Sequence, residues 1–373
     1  MQREFISMSK GLYIHIPFCK TLCSYCDFPK IIAKEENHIN YISKLLEEID
    51  SYNNELNNIS SVYFGGGTPN SISLSLLEKV FIRVKNILAN SSENSIELNP
   101  ELITEELCDL LLKYNIKRVS IGVQTINQKE IKLLNRHHSK ELVIEKIELL
   151  RKKNITNINC DFIFGIPGQN INDIYQDLKF IEELKLPHIS YYSLILEAKT
   201  VLEYKIKKKE ISILDDDIVA DMYELIVKRL KSLGYHHYEV SNFSYNGYEA
   251  KHNVLYWNCD EYIGIGAGAC GYINDKRYQN HRIINQYLND FLEEEEIISI
   301  NEKKKEYFLL GLRMLDGVSI NKYNEKFKSD PFKDFNISSL IDKGLLEIDN
   351  DYLRIPEDKI FIANLVFEEF VGD

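Results

Sequence analysis

Short apolar runs alternate with amphipathic segments along the first two thirds of the chain. The apolar runs lie at 12–16, 62–64, 95–98, 119–123, 159–164 and 189–195, and segments of helical periodicity lie at 38–52, 73–88, 104–115, 139–153, 171–184 and 215–233. Thr104 and Ser139 stand where helix N-caps belong, and Gly234 stands where a helix C-cap belongs. Six strand–helix units in series predict a parallel sheet with right-handed crossovers.

An open six-unit barrel and a doubly wound sheet both produce this alternation. The positions of the polar residues favour the barrel, because Glu97, Gln124 and Asp161 fall at or near predicted C-terminal strand ends, as do cysteine-rich and glycine-rich stretches. That end of the strands is the functional rim of a β/α barrel. We therefore predict an α/β fold with a partial (β/α)6 barrel over residues 11–240, after an N-terminal extension at residues 1–10.

Beyond residue 240 the alternation ends, which predicts a smaller α+β domain over residues 241–373. Its last part, 338–348 followed by 352–355, has the pattern of a helix, a glycine turn and a small hairpin. This pattern resembles the end of a winged-helix fold. Because the formal net charge is −12, we expect this part to pack within the protein and expect no nucleic-acid surface.

The composition predicts a cytoplasmic protein. No stretch approaches the ~18 apolar residues that span a bilayer. The first residues, Met-Gln-Arg-Glu-Phe, lead into no hydrophobic segment that ends in a small-residue cleavage site, so we expect no secretory signal. The sequence has seven cysteines, three of them clustered, and this arrangement fits a reducing compartment better than a disulfide framework. Peripheral contact with a membrane stays open.

Three cysteines near the N-terminus, Cys19, Cys23 and Cys26, have the spacing C-x3-C-x2-C. Three thiolates so placed can hold three irons of a [4Fe–4S] cluster and leave the fourth iron without a protein ligand. An open metal position is typical of a site where something else binds. A zinc loop with His15 as a fourth ligand and a set of buried structural thiols are the alternatives.

Further polar groups follow the next predicted strands. Gly65-Gly66-Gly67-Thr68-Pro69 follows the second strand, and glycines there let a ligand approach the backbone closely. Glu97 ends the third strand, Gln124 ends the fourth with Arg136 beyond it, and Asp161 lies in the fifth. Each group alone is explained equally well as a structural polar residue that satisfies a loop. As a set on one rim, they indicate a shared ligand.

These motifs resemble the radical S-adenosylmethionine (SAM) family that includes oxygen-independent coproporphyrinogen III oxidase. The resemblance spans residues 11–373 and rests on Tyr-Ile-His-Ile-Pro-Phe-Cys, Gly-Gly-Gly-Thr-Pro, Gly-Val-Gln-Thr and Asp-Phe-Ile-Phe-Gly-Ile-Pro-Gly. It implies that the methionyl amine and carboxylate of SAM chelate the fourth iron. It also implies SAM contacts from Tyr13, Tyr25, Gly66, Gly67, Thr68, Glu97, Gln124, Arg136 and Asp161.

Two features resemble a heme-chaperone branch of this family. Phe28 stands where the oxidases carry a further cysteine, two residues after Cys26, so we expect no coproporphyrinogen oxidase activity. The run His252-Asn-Val-Leu-Tyr-Trp257 resembles a motif implicated in heme binding, which makes His252 the candidate axial ligand. The alternative is that this aromatic run only packs against the barrel.

The resemblance implies a chaperone that binds heme as cargo and hands it to an acceptor hemoprotein, with a respiratory hemoprotein as the expected acceptor. A radical SAM enzyme acting on a tetrapyrrole and a radical SAM methyltransferase acting on another substrate are the alternatives. The sequence leaves open whether the chain cleaves SAM.

Overall fold

The computed structural model describes residues 10–371, so most of the predicted N-terminal extension lies outside the described residues. The strands are β1 Lys10–Ile16, β2 Ile59–Gly66, β3 Glu93–Leu98, β4 Arg118–Gln124, β5 Asn157–Phe164, β6 His188–Ser193, β7 His236–Glu239, β8 Asn242–Ser244, β9 Glu261–Ile265, β10 Cys270–Ile273, β11 Lys276–Asn280, β12 Leu292–Ile297, β13 Val318–Ser319, β14 Glu347–Asp349 and β15 Tyr352–Arg354. The helices are α1 Glu35–Ser51, α2 Leu74–Arg83, α3 Lys85–Asn90, α4 Glu105–Lys113, α5 Gln128–Leu133, α6 Lys140–Lys152, α7 Ile171–Leu184, α8 Val201–Lys207, α9 Asp216–Ser232, α10 Lys251–Trp257, α11 Ile284–Asn289, α12 Ile300–Gly311, α13 Ile320–Phe327, α14 Pro331–Asp334, α15 Ile337–Asp342 and α16 Asn364–Val371. Short 3-10 turns lie at Pro69–Ser71, Pro100–Leu102 and Glu357–Ile362.

The first six strands form the partial barrel that the sequence predicts. Strands β1 to β6 pair in chain order, each parallel to the next. A doubly wound sheet would reverse its strand order at a switch point, and this run of strands does not. Because β1 pairs with β9 and β6 pairs with β8, the barrel is open. The prediction of an α/β partial barrel is confirmed.

Local sequence signals account for these elements. Leu12, Ile14 and Ile16 alternate along β1 and are fully buried, as a strand with one face against helices requires. Thr104 Oγ1 accepts a hydrogen bond from Leu107 N at 3.2 Å at the start of α4, which confirms that predicted cap. Ser139 caps α6 in the same way. The segment predicted as one helix at 73–88 is two, because the chain turns at Val84 between α2 and α3.

The chain after residue 240 extends the same sheet before it forms a separate small sheet. The large sheet has the order β12-β11-β10-β9-β1-β2-β3-β4-β5-β6-β8-β7, so the predicted boundary at 240 falls between paired strands β7 and β8. The division into domains stays a prediction. The small sheet, β13-β15-β14, follows α12 and carries the hairpin predicted for the winged-helix-like end.

None of the helices within residues 10–371 combines the length and the apolar composition that crossing a bilayer demands.

Candidate functional site

A cavity of about 1050 Å³ opens at the C-terminal ends of the barrel strands. The thiols of Cys19, Cys23 and Cys26 line it. Most of the residues expected to contact SAM line it as well, namely Tyr25, Gly66, Gly67, Thr68, Glu97, Gln124, Arg136 and Asp161. The structure therefore brings together groups that are more than 140 positions apart in the sequence. Tyr13 and His252 do not line this cluster cavity and are described below.

The cysteine loop between β1 and α1 is held from both sides. Cys19 N donates to Ile31 O at 2.9 Å, and Ile31 N donates to Pro17 O at 2.7 Å, so the loop closes on itself. On the barrel side, His15 Nε2 lies 2.9 Å from Pro29 O. From the other side Gly268 approaches Pro29 so closely that a Cβ there would meet the proline Cγ at 2.5 Å. These contacts hold the two ends of the cysteine loop in place.

The three thiols fit the cluster that their spacing predicts. Burial raises the pKa of Cys19 to about 11 and also raises that of Cys26, so metal loading must displace their protons. A Cβ on Gly67 would lie 3.0 Å from Cys19 Sγ, which shows how closely the glycine loop approaches this ligand. Arg136 Nη1 lies 3.6 Å from Cys23 Sγ and provides positive charge for a thiolate. Cluster ligation by these residues stays a prediction.

The geometry does not favour the zinc alternative. His15 has both ring nitrogens engaged, since Nδ1 lies 2.9 Å from Tyr13 Oη and Nε2 contacts the Pro29 carbonyl. Burial lowers the pKa of this histidine to about 4, so it is neutral. Among residues 10–371 no three histidine, cysteine or acidic side chains are grouped as a single metal ion would require.

Two half-buried carboxyl groups face the cluster cavity. Glu97 accepts hydrogen bonds from Gly66 N and Tyr63 Oη, both at 3.0 Å. Burial, reinforced by the neighbouring Asp161, raises the pKa of Glu97 to about 7. Asp161 accepts hydrogen bonds from Ser120 and Asn159, and burial raises its pKa also. A positively charged ligand would favour the ionised form of both carboxyls.

Arg136 and Gln124 occupy the same rim. The Arg136 guanidinium donates to Asn99 Oδ1 at 3.0 Å and to the carbonyl of Gly122, while its buried Nε has no hydrogen-bond partner among the described residues. Gln124 ends β4 with a φ of 68°, a left-handed conformation that turns the chain at the strand end. Both residues line the cluster cavity.

Sequence reasoning missed Tyr63 and Asn99, which hold Glu97 and Arg136. Tyr63 lies inside a predicted strand, where an aromatic residue is usually assigned to the core. Its side chain instead shares a face with Tyr13, and the two rings stack at 6.2 Å between centroids. Because successive side chains of a strand point to opposite faces, the alternation along β1 and β2 was the sequence signal that could have placed Tyr63 on the same face as Tyr13.

Tyr13 lies beside the cluster cavity. Its ring lines a separate aromatic cavity together with residues of α10, β9 and β10, and its hydroxyl lies against His15. A direct contact with SAM from this position stays a prediction.

His252 lies near the opposite, N-terminal ends of the strands. Its side chain is buried, Nδ1 lies 2.8 Å from Ser61 Oγ, and Nε2 lies 2.8 Å from Tyr256 Oη. A Cβ on Gly11 would lie 3.1 Å from its Cε1, so β1 packs directly on the imidazole. Burial lowers the pKa of His252 to about 3. Iron ligation by His252 stays a prediction, and it requires one of these two contacts to break.

The chain matches two protein-family models and is similar to named proteins of other organisms. The family model for the radical SAM superfamily matches residues 13–181, and the model for the HemN C-terminal domain matches residues 298–358. Heme chaperone HemW of Lactococcus lactis is 37% identical over 97% of each chain. Heme chaperone HemW of Bacillus subtilis is 31% identical over 98% of this chain and 100% of that one.

Among solved structures, coproporphyrinogen III oxidase (HemN) of Escherichia coli, described as a radical SAM enzyme, matches with a TM-score of 0.84. The match covers 97% of this chain and 90% of that one at 20% identity, so it supports the fold alone.

Proposed function

The chain belongs to the HemW family of radical SAM proteins, and from that membership we propose that it is a heme chaperone, which binds heme and passes it to an acceptor hemoprotein. The observation that carries this proposal is the 37% identity, over 97% of both chains, with a protein named as a heme chaperone. The proposed acceptor is a respiratory hemoprotein, and the proposed location is the cytoplasm, where the cysteine thiols stay reduced.

We propose that Cys19, Cys23 and Cys26 hold a [4Fe–4S] cluster and that SAM occupies the rest of the cluster cavity. When bound and reduced, the cluster would supply the one electron that cleaves SAM into methionine and a 5′-deoxyadenosyl radical. The residues of the chain orient the ligand and keep water away. Glu97 and Asp161 offer acceptors for amine or hydroxyl groups, while Arg136 places a positive charge beside Cys23.

Phe28 supports a chaperone over an oxidase. It stands where the oxidases carry a cysteine, and its side chain lines the cluster cavity with 69% of its surface exposed. A phenyl ring at this position supplies neither a thiolate ligand nor an acid–base group. A porphyrinogen bound in this cavity would therefore not meet the cysteine thiol that the oxidases carry at this position.

An assay for porphyrinogen oxidation separates the two functions. Reconstituted protein is incubated anaerobically with coproporphyrinogen III, SAM and a strong reductant, and the porphyrins are analysed after reoxidation. We expect no protoporphyrin above the level of a protein-free sample, whereas the same protein should bind ferric heme. Stoichiometric formation of protoporphyrinogen would show that the chain is an oxidase.

A further inference from the structure

A chain of buried hydrogen bonds leads to Asp161. It starts at the backbone N–H of Ala250, just before α10, and passes through the side chains of Tyr238, His188 and Asn159. These three side chains are buried and do not line the cluster cavity, whereas Asp161 does. The chain therefore supports, from the interior of the protein, one of the two carboxyl groups proposed to bind SAM.

The register of three neighbouring strands brings these side chains together. Asn159 on β5 is paired with Ser120 of β4 on one side and with His188 of β6 on the other. Asp161 follows Asn159 by two residues, so both side chains lie on the same face of β5, and Asp161 is paired with Ser190 of β6. A layer of polar side chains thus lies one step behind Asp161 along the strands.

Tyr238 determines which nitrogen of His188 carries the proton. The Tyr238 hydroxyl oxygen accepts a hydrogen bond from Ala250 N at 3.1 Å and lies 2.8 Å from His188 Nε2. That nitrogen is the acceptor within reach of the hydroxyl proton, so the hydroxyl donates to it. Burial lowers the pKa of His188 well below its usual value, so the imidazole is neutral and carries one N–H. The proton of His188 is therefore on Nδ1.

The protonated Nδ1 fixes the direction of the Asn159 amide. Asn159 Oδ1 lies 2.7 Å from His188 Nδ1 and accepts its hydrogen bond. The amide nitrogen must then point the other way, where it lies 2.8 Å from Asp161 Oδ1, 2.7 Å from Ser120 Oγ and 2.9 Å from Ser190 Oγ. Ser120 in turn donates to Asp161 Oδ2 at 2.8 Å. Both oxygens of Asp161 thus accept a hydrogen bond from buried side chains, and these bonds oppose the rise in its pKa that burial causes.

We propose that His188 is a positioning residue of the SAM site, which acts by holding the N–H groups of the Asn159 amide toward Asp161. This inference rests on the proposed function, because it concerns the SAM site in the cluster cavity. An inverted amide would place Asn159 Oδ1 against a carboxylate oxygen, and two acceptors repel each other. With the amide fixed, Asp161 keeps one orientation and stays an acceptor for the amine or hydroxyl groups of SAM.

The test measures the SAM affinity of the full, cluster-loaded protein after two replacements of His188. Leucine fills a similar space without an N–H, so in His188→Leu the Asn159 amide is free to turn, and we expect the Kd for SAM to rise about tenfold. Asparagine can place an N–H near the position of the imidazole Nδ1, so His188→Asn should retain most of the affinity. A side chain that only filled space would give the opposite order, because leucine preserves apolar packing better than asparagine does.

A double-mutant cycle shows whether His188 acts through Asn159. Asn159→Leu removes the amide and should itself weaken SAM binding, after which His188→Leu should add no further loss. His237→Leu is the matched control, because His237 is a buried histidine of β7 that belongs neither to the chain nor to the lining of the cluster cavity. Its SAM affinity should equal that of the wild type. Circular dichroism and the melting temperature show which variants fold.

Several results would overturn the positioning role. Wild-type SAM affinity in His188→Leu, equal losses in both His188 variants, or additive losses in the cycle would each do so. Nitrogen NMR of histidine-labelled wild-type protein, assigned with His188→Asn, should show a neutral ring protonated on Nδ1, and a ring protonated on Nε2 would reverse the chain. Wild-type protein that holds its cluster but binds no SAM would remove the proposed SAM site itself, whereas wild-type binding that ignores the variants would remove the role of His188 alone.

Discussion

Replacing any one of Cys19, Cys23 and Cys26 by alanine should abolish the iron–sulfur cluster. Each thiol supplies one of three protein ligands, and the fourth iron position has no protein ligand in the proposed site. An alanine leaves a second iron uncoordinated at a site with no spare thiol in the loop. Anaerobically reconstituted wild-type protein should hold about four irons per chain, and each variant should hold far fewer.

The matched control for these variants is Cys108→Ala. Cys108 is buried on α4 and does not line the cluster cavity, so its loss should leave the iron content and the absorption spectrum unchanged. A loop variant that retained the full iron content and the wild-type spectrum would contradict the ligand assignment. Loss of iron in Cys108→Ala as well would indicate a general loss of folding.

Alanine at Glu97 or Asp161 should weaken SAM binding while the cluster remains. Each carboxylate offers charge-assisted hydrogen bonds to SAM, whose removal costs ~1.5–3 kcal/mol, or roughly 10- to 150-fold in Kd. Calorimetry or filter binding measures the change, and iron content reports the cluster. Glu105→Ala on the exposed face of α4 serves as the control. Wild-type affinity in both variants would move the SAM site away from this rim.

The affinity of this site for SAM should depend on pH. Burial raises the pKa of Glu97 to about 7, so the carboxyl is protonated below that pH and ionised above it. SAM affinity should therefore fall as the pH falls through neutrality, because a protonated carboxyl is a weaker acceptor for an amine or hydroxyl. In Glu97→Gln the affinity should be low and should vary little over the same range. An identical pH profile in the variant would assign the titration to another group.

The barrel could be predicted from the sequence because its strands are buried on both faces. Strand β4, for example, could be recognised from the apolar residues of the run 119–123, and caps such as Thr104 mark where the helices begin. The cysteine loop and the polar strand ends line one cavity, since parallel strands carry their C-terminal ends to the same rim, whereas Tyr13 does not line it.

The extension of the sheet could not be predicted in this way. Strand β12 contains four consecutive glutamates and is exposed along its length, so no hydrophobic alternation marks it. It forms because it pairs with β11, which is itself rich in polar residues. A strand that forms because it pairs with its neighbour needs little hydrophobic pattern in its own sequence, so the sequence does not reveal it.

The contacts of His252 could not be predicted from the sequence either. From the sequence, a histidine in an aromatic run can be interpreted either as an exposed ligand or as a packing residue. Its contact with Ser61 joins positions 191 residues apart, and only the folded chain shows that α10 packs against the start of β2. For the same reason the aromatic cavity that Tyr13 lines, assembled from β1, α10, β9, β10, β11 and α12, could not be predicted from the sequence.

The most direct measurement of the chaperone function is the rate at which loaded protein gives up its heme. Heme transfer to the apo form of a b-type respiratory hemoprotein is followed by absorption, and transfer to apomyoglobin gives the rate of spontaneous release. We predict that transfer to the respiratory protein is faster than spontaneous release and accelerates with acceptor concentration, as direct handover requires. A rate equal to spontaneous release at every acceptor concentration would contradict a chaperone function.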